Sequence, residues 1–196
     1  MPPIPPLTQA LMLICTAVFC VDQFVRLEVL FALWPLQSGL FWPWQLVSYG
    51  FPHGSLFHLF FNMLGLWMFG SELERLWGRN RYAQFLLASL LAAALTQLLV
   101  TWLTASNVPT VGASGALFGL LLAFGMLFPN RVIMPLFPPI PMKARTFVFV
   151  FGAIELLLGL YGRGGVAHFA HLGGMLGGFL MIRYWRGQAP FGSRRR

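Results

Sequence analysis

Two residues with the capacity for nucleophilic catalysis lie inside otherwise apolar stretches of this chain. Ser114 lies in the segment Val-Gly-Ala-Ser-Gly, and His171 lies in the segment Ala-His-Leu-Gly-Gly. A serine hydroxyl is a poor nucleophile until a base takes its proton, and histidine suits that role near neutral pH. Gly115 and Gly174 each begin a face of small residues that permits close helix packing. We predict that Ser114 and His171 meet as nucleophile and base; alternatively, each only packs or hydrogen-bonds between helices.

A second polar group precedes these residues in the chain. His58 and Asn62 are four residues apart, so they share one face of a helix. Both side chains can donate hydrogen bonds, and with the backbone N–H of Ser114 they could form an oxyanion hole. Alternatively, they form a pair that only holds helices together. His53 lies at the border of a loop and a helix, where we expect it to brace the loop.

The supply of carboxylates favours a Ser-His dyad over a triad. The chain has one aspartate, Asp22, and four glutamates. Of these five carboxylates, only Asp22 and Glu155 are expected to lie within apolar spans. Neither is expected to lie beside a candidate histidine. Glu155 has no evident partner and is either neutral and hydrogen-bonded or facing a water-filled cavity. We therefore predict a dyad.

A metal-dependent membrane hydrolase is the rival enzyme class. The chain supplies four imidazoles that could bind a metal ion, namely His53, His58, His168 and His171. It contains no His-Glu-x-x-His motif, and carboxylate ligands are scarce. We therefore predict no metal site and no other cofactor.

The composition places the chain in a membrane. It has 196 residues, of which 58% are hydrophobic and 9% are charged, and its mean hydropathy is +0.73. Soluble domains carry roughly 25% charged residues, so this chain cannot cover a water-facing surface. The net charge of +8 falls in short clusters between apolar stretches, which is typical of membrane-protein loops and argues against nucleic acid as a partner.

Six apolar stretches are long enough, or nearly so, to cross the bilayer as helices. They lie near residues 8–30, 54–76, 82–103, 114–128, 145–161 and 167–185. The segment 31–53 is interrupted by proline and rich in aromatic residues, which predicts a structured loop partly embedded in the membrane. Its interfacial aromatic residues would be Trp34, Trp42, Trp44 and Tyr49. The chain is predicted to be a single membrane domain over 1–196, with its core at 8–185 and a basic tail at 186–196.

The positions of the basic residues predict the orientation of the chain. With six spans, nearly all arginines and lysines between and after the spans fall on the side of the N-terminus, leaving only Arg26 and Arg163 elsewhere. By the positive-inside rule that side is the cytoplasm. We expect a multi-pass protein of a plasma or bacterial inner membrane, with both termini and the basic tail in the cytoplasm.

The spacing of these residues resembles that of the rhomboid family. The family pattern has His-x4-His-x3-Asn on the second core helix, Gly-x-Ser-Gly opening the fourth, and Ala-His-x2-Gly-x3-Gly on the sixth. Matching residues here are His53, His58, Asn62, Gly112, Ser114, Gly115, Ala170, His171, Gly174 and Gly178. An element with Gly70, Glu74 and Gly78 also matches, and the resemblance covers about residues 8–185. One such motif is weak evidence, but three in order on the matching spans are strong evidence.

The resemblance implies a six-helix all-α membrane bundle with intramembrane serine protease activity. It implies Ser114 as nucleophile, His171 as base, and His58, Asn62 and the Ser114 amide as oxyanion stabilisers. Phe118 matches a position where some members have a tyrosine stacked on the catalytic histidine. The implied substrates are transmembrane segments of other membrane proteins in the lipid bilayer. The alternatives are a catalytically silent relative that binds transmembrane helices, or a transporter, which the absence of matching repeats disfavours.

Overall fold

The computed structural model describes residues 3–136, 139–161 and 167–188, and these residues are mostly helical. Within them the helices are α1 (Pro6–Val25), α2 (Glu28–Phe31), α3 (Gln45–Ser48), α4 (Leu56–Gly65), α5 (Ser71–Trp77), α6 (Arg79–Leu103), α7 (Ser114–Leu127), α8 (Ala144–Tyr161) and α9 (His168–Trp185). Two short strands, β1 (Val132–Ile133) and β2 (Met142–Lys143), pair antiparallel between α7 and α8. Residues 189–196 of the predicted basic tail lie outside the described residues.

The long helices fall on the six predicted apolar stretches. A wider helical turn, Leu66–Gly70, joins α4 to α5, so these two helices form one rod. Among the described residues, α1, α6 and α8 are long and apolar enough to cross a membrane, and α7 is a shorter apolar helix. The six-span count therefore stays a prediction. Helix α1 ends at Val25, earlier than expected, because Arg26 adopts a left-handed conformation with φ of 52°.

Helix α7 lies at the centre of the bundle, and small residues bring its neighbours close to it. A Cβ atom added at Gly115 would lie 2.6 Å from the Cβ of Ala93 on α6. A Cβ added at Gly178 of α9 would lie 3.2 Å from the Cα of Gly119 on α7. Close backbone approach of this kind is how helices associate in a membrane, where apolar burial gives little driving force. The glycine faces of α7 and α9 are therefore packed against each other.

The outer surface of the bundle is apolar. Large hydrophobic side chains point away from the core on several helices, including Leu95 of α6 at 60% exposure and Phe149 of α8 at 77%. A soluble protein rarely leaves so much contiguous apolar surface in water. This surface matches the hydrocarbon interior of a bilayer, and the chain is an integral membrane protein.

The first loop is held by buried hydrogen bonds. Gln45 is fully buried; its side-chain carbonyl accepts from the backbone N–H of Trp34 and of Trp42, and its amide donates to two backbone carbonyls. Trp42 and Trp44 stack on each other and are about half exposed, which fits an interfacial position. The interfacial position expected for Tyr49 is wrong. Its ring is 1% exposed, and its hydroxyl donates to the Leu90 carbonyl of α6 at 2.9 Å, so it joins the loop to the core.

A buried carboxylate fixes the start of α1. Glu74 of α5 is 4% exposed and accepts hydrogen bonds from the backbone N–H groups of Leu7 and Thr8 and from the Thr8 hydroxyl, at 2.7–2.9 Å. These N–H groups have no partners within their own helix, because they belong to its first turn. Negative charge is also favoured at a helix N-terminus. Glu74 thus attaches α1 to the end of the α4–α5 rod, and Gly78, with φ of 77°, allows the chain to turn directly into α6.

Candidate active site

Ser114 and His171 form a hydrogen-bonded pair. The Oγ atom of Ser114 lies 2.7 Å from Nε2 of His171. Ser114 is the first residue of α7, and His171 lies in the first turn of α9. His171 is 9% exposed, and Ser114 is partly exposed. The arrangement can transfer a proton from the hydroxyl to the imidazole, which is the requirement for a serine nucleophile.

The segment before α7 is fixed on both sides. Leu33 and Thr110 exchange two backbone hydrogen bonds, and the N–H of Gly112 donates to the carbonyl of Tyr49 at 2.8 Å. Gly112 has φ of 112°, a conformation that residues with a side chain rarely adopt. These contacts attach the approach to Ser114 to the first loop. The position of Ser114 therefore depends on the loop as well as on α7.

The ring of His171 is covered on one face by Phe118. The two ring centroids are 4.3 Å apart and the planes differ by 7°, so the rings are stacked. Phe118 lies one turn after Ser114 on α7, so the same helix carries the serine and the residue that orients the imidazole. Stacking restricts rotation of the ring while Nε2 remains directed at Ser114.

Glu155 of α8 contacts the other nitrogen of the same imidazole. Its Oε2 atom lies 2.8 Å from Nδ1 of His171 and 2.7 Å from Nδ1 of His168. The expectation that Glu155 has no partner and lies beside no candidate histidine is therefore wrong. The sequence could not show this contact, because it depends on which faces of α8 and α9 pack against each other. One signal was available: an ionisable residue inside an apolar span marks a functional site by default.

His168 is a second residue that sequence reasoning left out of the site. It precedes His171 by one helical turn, so both rings reach the carboxylate of Glu155. The nearby ligand atoms of these three residues lie within 4.8 Å of one another, which makes them the metal-capable group among the described residues. The four-histidine arrangement of the rival metal hypothesis is not formed in the described part of the chain, since His53 and His58 pair with each other instead.

His58 lies beside the segment that leads into Ser114, and Asn62 follows it by one turn of α4. A Cβ atom added at Gly112 would lie 2.6 Å from Nε2 of His58, so the imidazole packs directly on that glycine. Asn62 is 3% exposed, and its amide nitrogen donates to the His58 carbonyl at 2.8 Å. An amide nitrogen carries two N–H bonds, so one remains for another acceptor. The His58 ring therefore lies close to the start of α7, and Asn62 keeps one N–H for another acceptor.

His53 braces the end of the first loop. Its Nδ1 atom lies 2.9 Å from the Phe51 carbonyl, which requires Nδ1 to carry the proton. Its ring is 2% exposed and meets the His58 ring edge to face at 5.0 Å. Burial, assisted by the nearby His58, lowers the pKa of His53 to about 4, against the opposing effect of the Phe51 hydrogen bond. His53 is therefore neutral at physiological pH.

Comparison with known proteins identifies the fold. Residues 41–187 match the Rhomboid domain family. The chain is 33% identical over 138 residues to Rhomboid protein 1, mitochondrial, of Saccharomyces cerevisiae, covering 69% of this chain and 40% of that protein. It is 28% identical over 186 residues to Rhomboid protease GlpG of Yersinia enterocolitica, covering 92% of this chain and 62% of that protein. It is 36% identical over 138 residues to RHOMBOID-like protein 4 of Arabidopsis thaliana, covering 70% of this chain and 33% of that protein.

The chain spans less than two thirds of the length of these relatives. The match nevertheless includes α3 to α9 and therefore every residue of the candidate site. The family match covers well over half of the chain and agrees with the three spaced motifs of the sequence. This chain belongs to the rhomboid family.

Proposed function

We propose that this protein is an intramembrane serine protease that hydrolyses a peptide bond in or near the transmembrane segment of a membrane-protein substrate. The observation that carries the proposal is the 2.7 Å hydrogen bond between the Ser114 hydroxyl and Nε2 of His171. Support comes from the relative named as a protease, GlpG, which this chain matches over 92% of its own length.

Ser114 is the proposed nucleophile and His171 the proposed general base. The Ser114 oxygen forms a bond to the carbonyl carbon as its proton passes to Nε2 of His171. The resulting imidazolium gives that proton to the leaving amine when the C–N bond breaks. Water then attacks the acyl-enzyme with His171 again as base, releasing the new carboxyl terminus and restoring the serine.

The proposed oxyanion hole combines the Ser114 backbone N–H with His58 and Asn62. Ser114 is the first residue of α7, where backbone N–H groups have no partner within the helix. The positive end of the helix dipole favours negative charge at the same point. Donors that are already oriented before the reaction stabilise the tetrahedral intermediate most effectively, because they need no reorganisation.

The proposed substrate must present an extended segment to Ser114. A peptide bond within a helix is shielded by its neighbours, and unpaired backbone groups are costly in the hydrocarbon region. We therefore expect cleavage near the end of a substrate helix, in a stretch with residues that weaken the helix. The positive-inside rule supports cytoplasmic termini, and that orientation directs the starts of α7 and α9 toward the opposite face of a plasma or bacterial inner membrane.

The deciding experiment uses the purified protein in mild detergent with a panel of single-span reporter substrates. Wild type is compared with Ser114→Ala and His171→Ala, each with and without EDTA. Wild-type cleavage that is lost in both variants and unaffected by EDTA is the expected result. Cleavage that survives Ser114→Ala would refute the assignment, and loss of activity with EDTA would favour metal chemistry.

A fluorophosphonate probe tests the nucleophile without a substrate. We expect the wild-type protein to be labelled at Ser114, and His171→Ala to be labelled far more slowly. Absence of labelling in folded wild-type protein would support the alternative of a catalytically silent rhomboid that binds transmembrane helices.

A further inference from the structure

We propose that Glu155 is a positioning residue that acts through His171, so that the site works as a Ser-His-Glu arrangement and not as an isolated dyad. The inference rests on the proposed function, because it assigns Glu155 a part in the same reaction. Its basis is the carboxylate of α8, whose Oε2 atom lies 2.8 Å from Nδ1 of His171 on the side opposite Ser114.

The hydrogen bonds define the tautomer of His171. An ionised carboxylate only accepts hydrogen bonds, so Nδ1 of His171 must carry a proton. In a neutral imidazole the other nitrogen is then a free acceptor, and that nitrogen, Nε2, faces the Ser114 hydroxyl at 2.7 Å. Glu155 thus selects the one neutral form of the ring that can remove the proton from Ser114.

Burial gives this contact energetic weight. The side chains of Glu155 and His171 are 12% and 11% exposed, so water screens the pair little. When His171 takes the serine proton, the resulting imidazolium lies beside a fixed negative charge, and in such surroundings their attraction is strong. Glu155 therefore favours the protonated ring that forms during the reaction.

The ring is held from three directions. Phe118 stacks on its face, Ser114 contacts Nε2, and Glu155 contacts Nδ1. Stacking alone still permits a flip of the ring by about 180°, which would place carbon atoms where Nδ1 and Nε2 now lie. The hydrogen bond to Glu155 makes that flip unfavourable, because it would leave the carboxylate without this donor.

His168 holds the carboxylate in place. Its Nδ1 atom lies 2.7 Å from the same Oε2 of Glu155, and its side chain is 13% exposed. Glu155 belongs to α8 and both histidines belong to α9, so these hydrogen bonds also connect the two helices. His168 acts through Glu155 and has no direct contact with Ser114 in this arrangement.

The test compares Glu155→Gln and Glu155→Asp with wild type. Both Nδ1–H groups contact the same oxygen, so the glutamine carbonyl can still accept from both, but the variant has no negative charge beside the imidazolium. We expect kcat and the rate of fluorophosphonate labelling to fall by up to roughly 10⁴-fold, the loss known when the carboxylate of a triad becomes an amide, with KM changed far less. Glu155→Asp keeps the charge at shorter reach and should recover part of the rate.

The control is Glu28→Gln, which removes an exposed carboxylate outside the site. Ser114→Ala and His171→Ala are measured in the same series. If these two abolish activity while Glu155→Gln keeps kcat within about threefold of wild type, the inference fails and the proposed function stands. If wild type itself neither cleaves nor labels, the proposed function fails and the inference fails with it.

A spectroscopic measurement tests the inference without activity. In ¹⁵N-histidine NMR of the detergent-solubilised protein, the neutral His171 ring should be protonated at Nδ1 in wild type, with its signal identified through His171→Ala. Glu155→Leu, which removes the acceptor, should shift that proton toward Nε2. A wild-type His171 that is neutral and protonated at Nε2 would overturn the proposal, even if Glu155→Gln also lowered stability.

Discussion

Replacing Gly174 with alanine tests whether the closeness of α7 and α9 sets the active-site geometry. A Cβ atom at Gly174 would lie 2.6 Å from the carbonyl carbon of Gly115 and nearer still to its oxygen. These are backbone atoms, so no side chain can rotate away. The helices must separate by about 1 Å to restore normal contact, and overpacking of this kind costs about 1–3 kcal/mol of stability.

Such a separation of α7 and α9 would move Ser114 and His171 apart directly. Ser114 precedes Gly115 on α7, and His171 lies three residues before Gly174 on α9. A shift of about 1 Å would lengthen the 2.7 Å contact between Oγ and Nε2 to about 3.7 Å, beyond hydrogen-bonding distance. A misplacement of that size reduces catalysis by roughly 10²-fold.

The assay measures kcat on a cleaved reporter, fluorophosphonate labelling and thermal unfolding in detergent. Gly152→Ala is the matched control, because its Cβ would meet only the flexible end of Met175 at 3.4 Å. We expect Gly152→Ala to keep wild-type activity and to gain at most about 1 kcal/mol from better helix propensity. Wild-type kcat and melting temperature in Gly174→Ala would refute the geometric argument.

Three further perturbations test other parts of the structure. Phe118→Ala should lower kcat about tenfold by freeing the His171 ring, whereas Phe118→Tyr should keep most activity; equal loss in both would contradict the stacking role. Glu74→Gln should lower the free energy of unfolding by about 1–3 kcal/mol, because its hydrogen bonds at the start of α1 become weaker. Glu28→Gln is the control, and an unchanged melting temperature in Glu74→Gln would contradict this role. His53 has its pKa lowered to about 4 when folded, so the unfolded chain binds its proton first as pH falls below 6.5. Stability should therefore decline between pH 6.5 and 4, by at most about 3 kcal/mol from this residue, and His53→Gln should show a smaller decline in thermal unfolding across that range.

Much of the helical architecture was accessible from the sequence. Long apolar stretches need their backbone groups bonded internally in lipid, so they must be helices, and all six predicted stretches carry them. Gly115 and Gly174 predicted close helix packing, because small residues allow backbones to approach. Ser114 and His171 were recognisable for a different reason: a polar group in an apolar span is costly, so its presence indicates a function.

The sequence did not determine how the loops and outer helices turn toward the site. Tyrosine is common at membrane interfaces, yet Tyr49 is buried, because the first loop packs against α6. Glu74 bonds to Leu7 and Thr8, far away in the chain, and no local pattern specifies that contact.

Glu155 shows most clearly what the sequence alone could not predict. Its presence in an apolar span indicated a role, but the identity of its partner depends on the rotation of α8 against α9, a property of packing and not of spacing. Hydropathy and motif spacing determine which segments are helices and which residues can react, since both follow from local chemistry. Only the tertiary structure decides that one carboxylate oxygen lies between His168 and His171, because that contact joins faces of two separate helices.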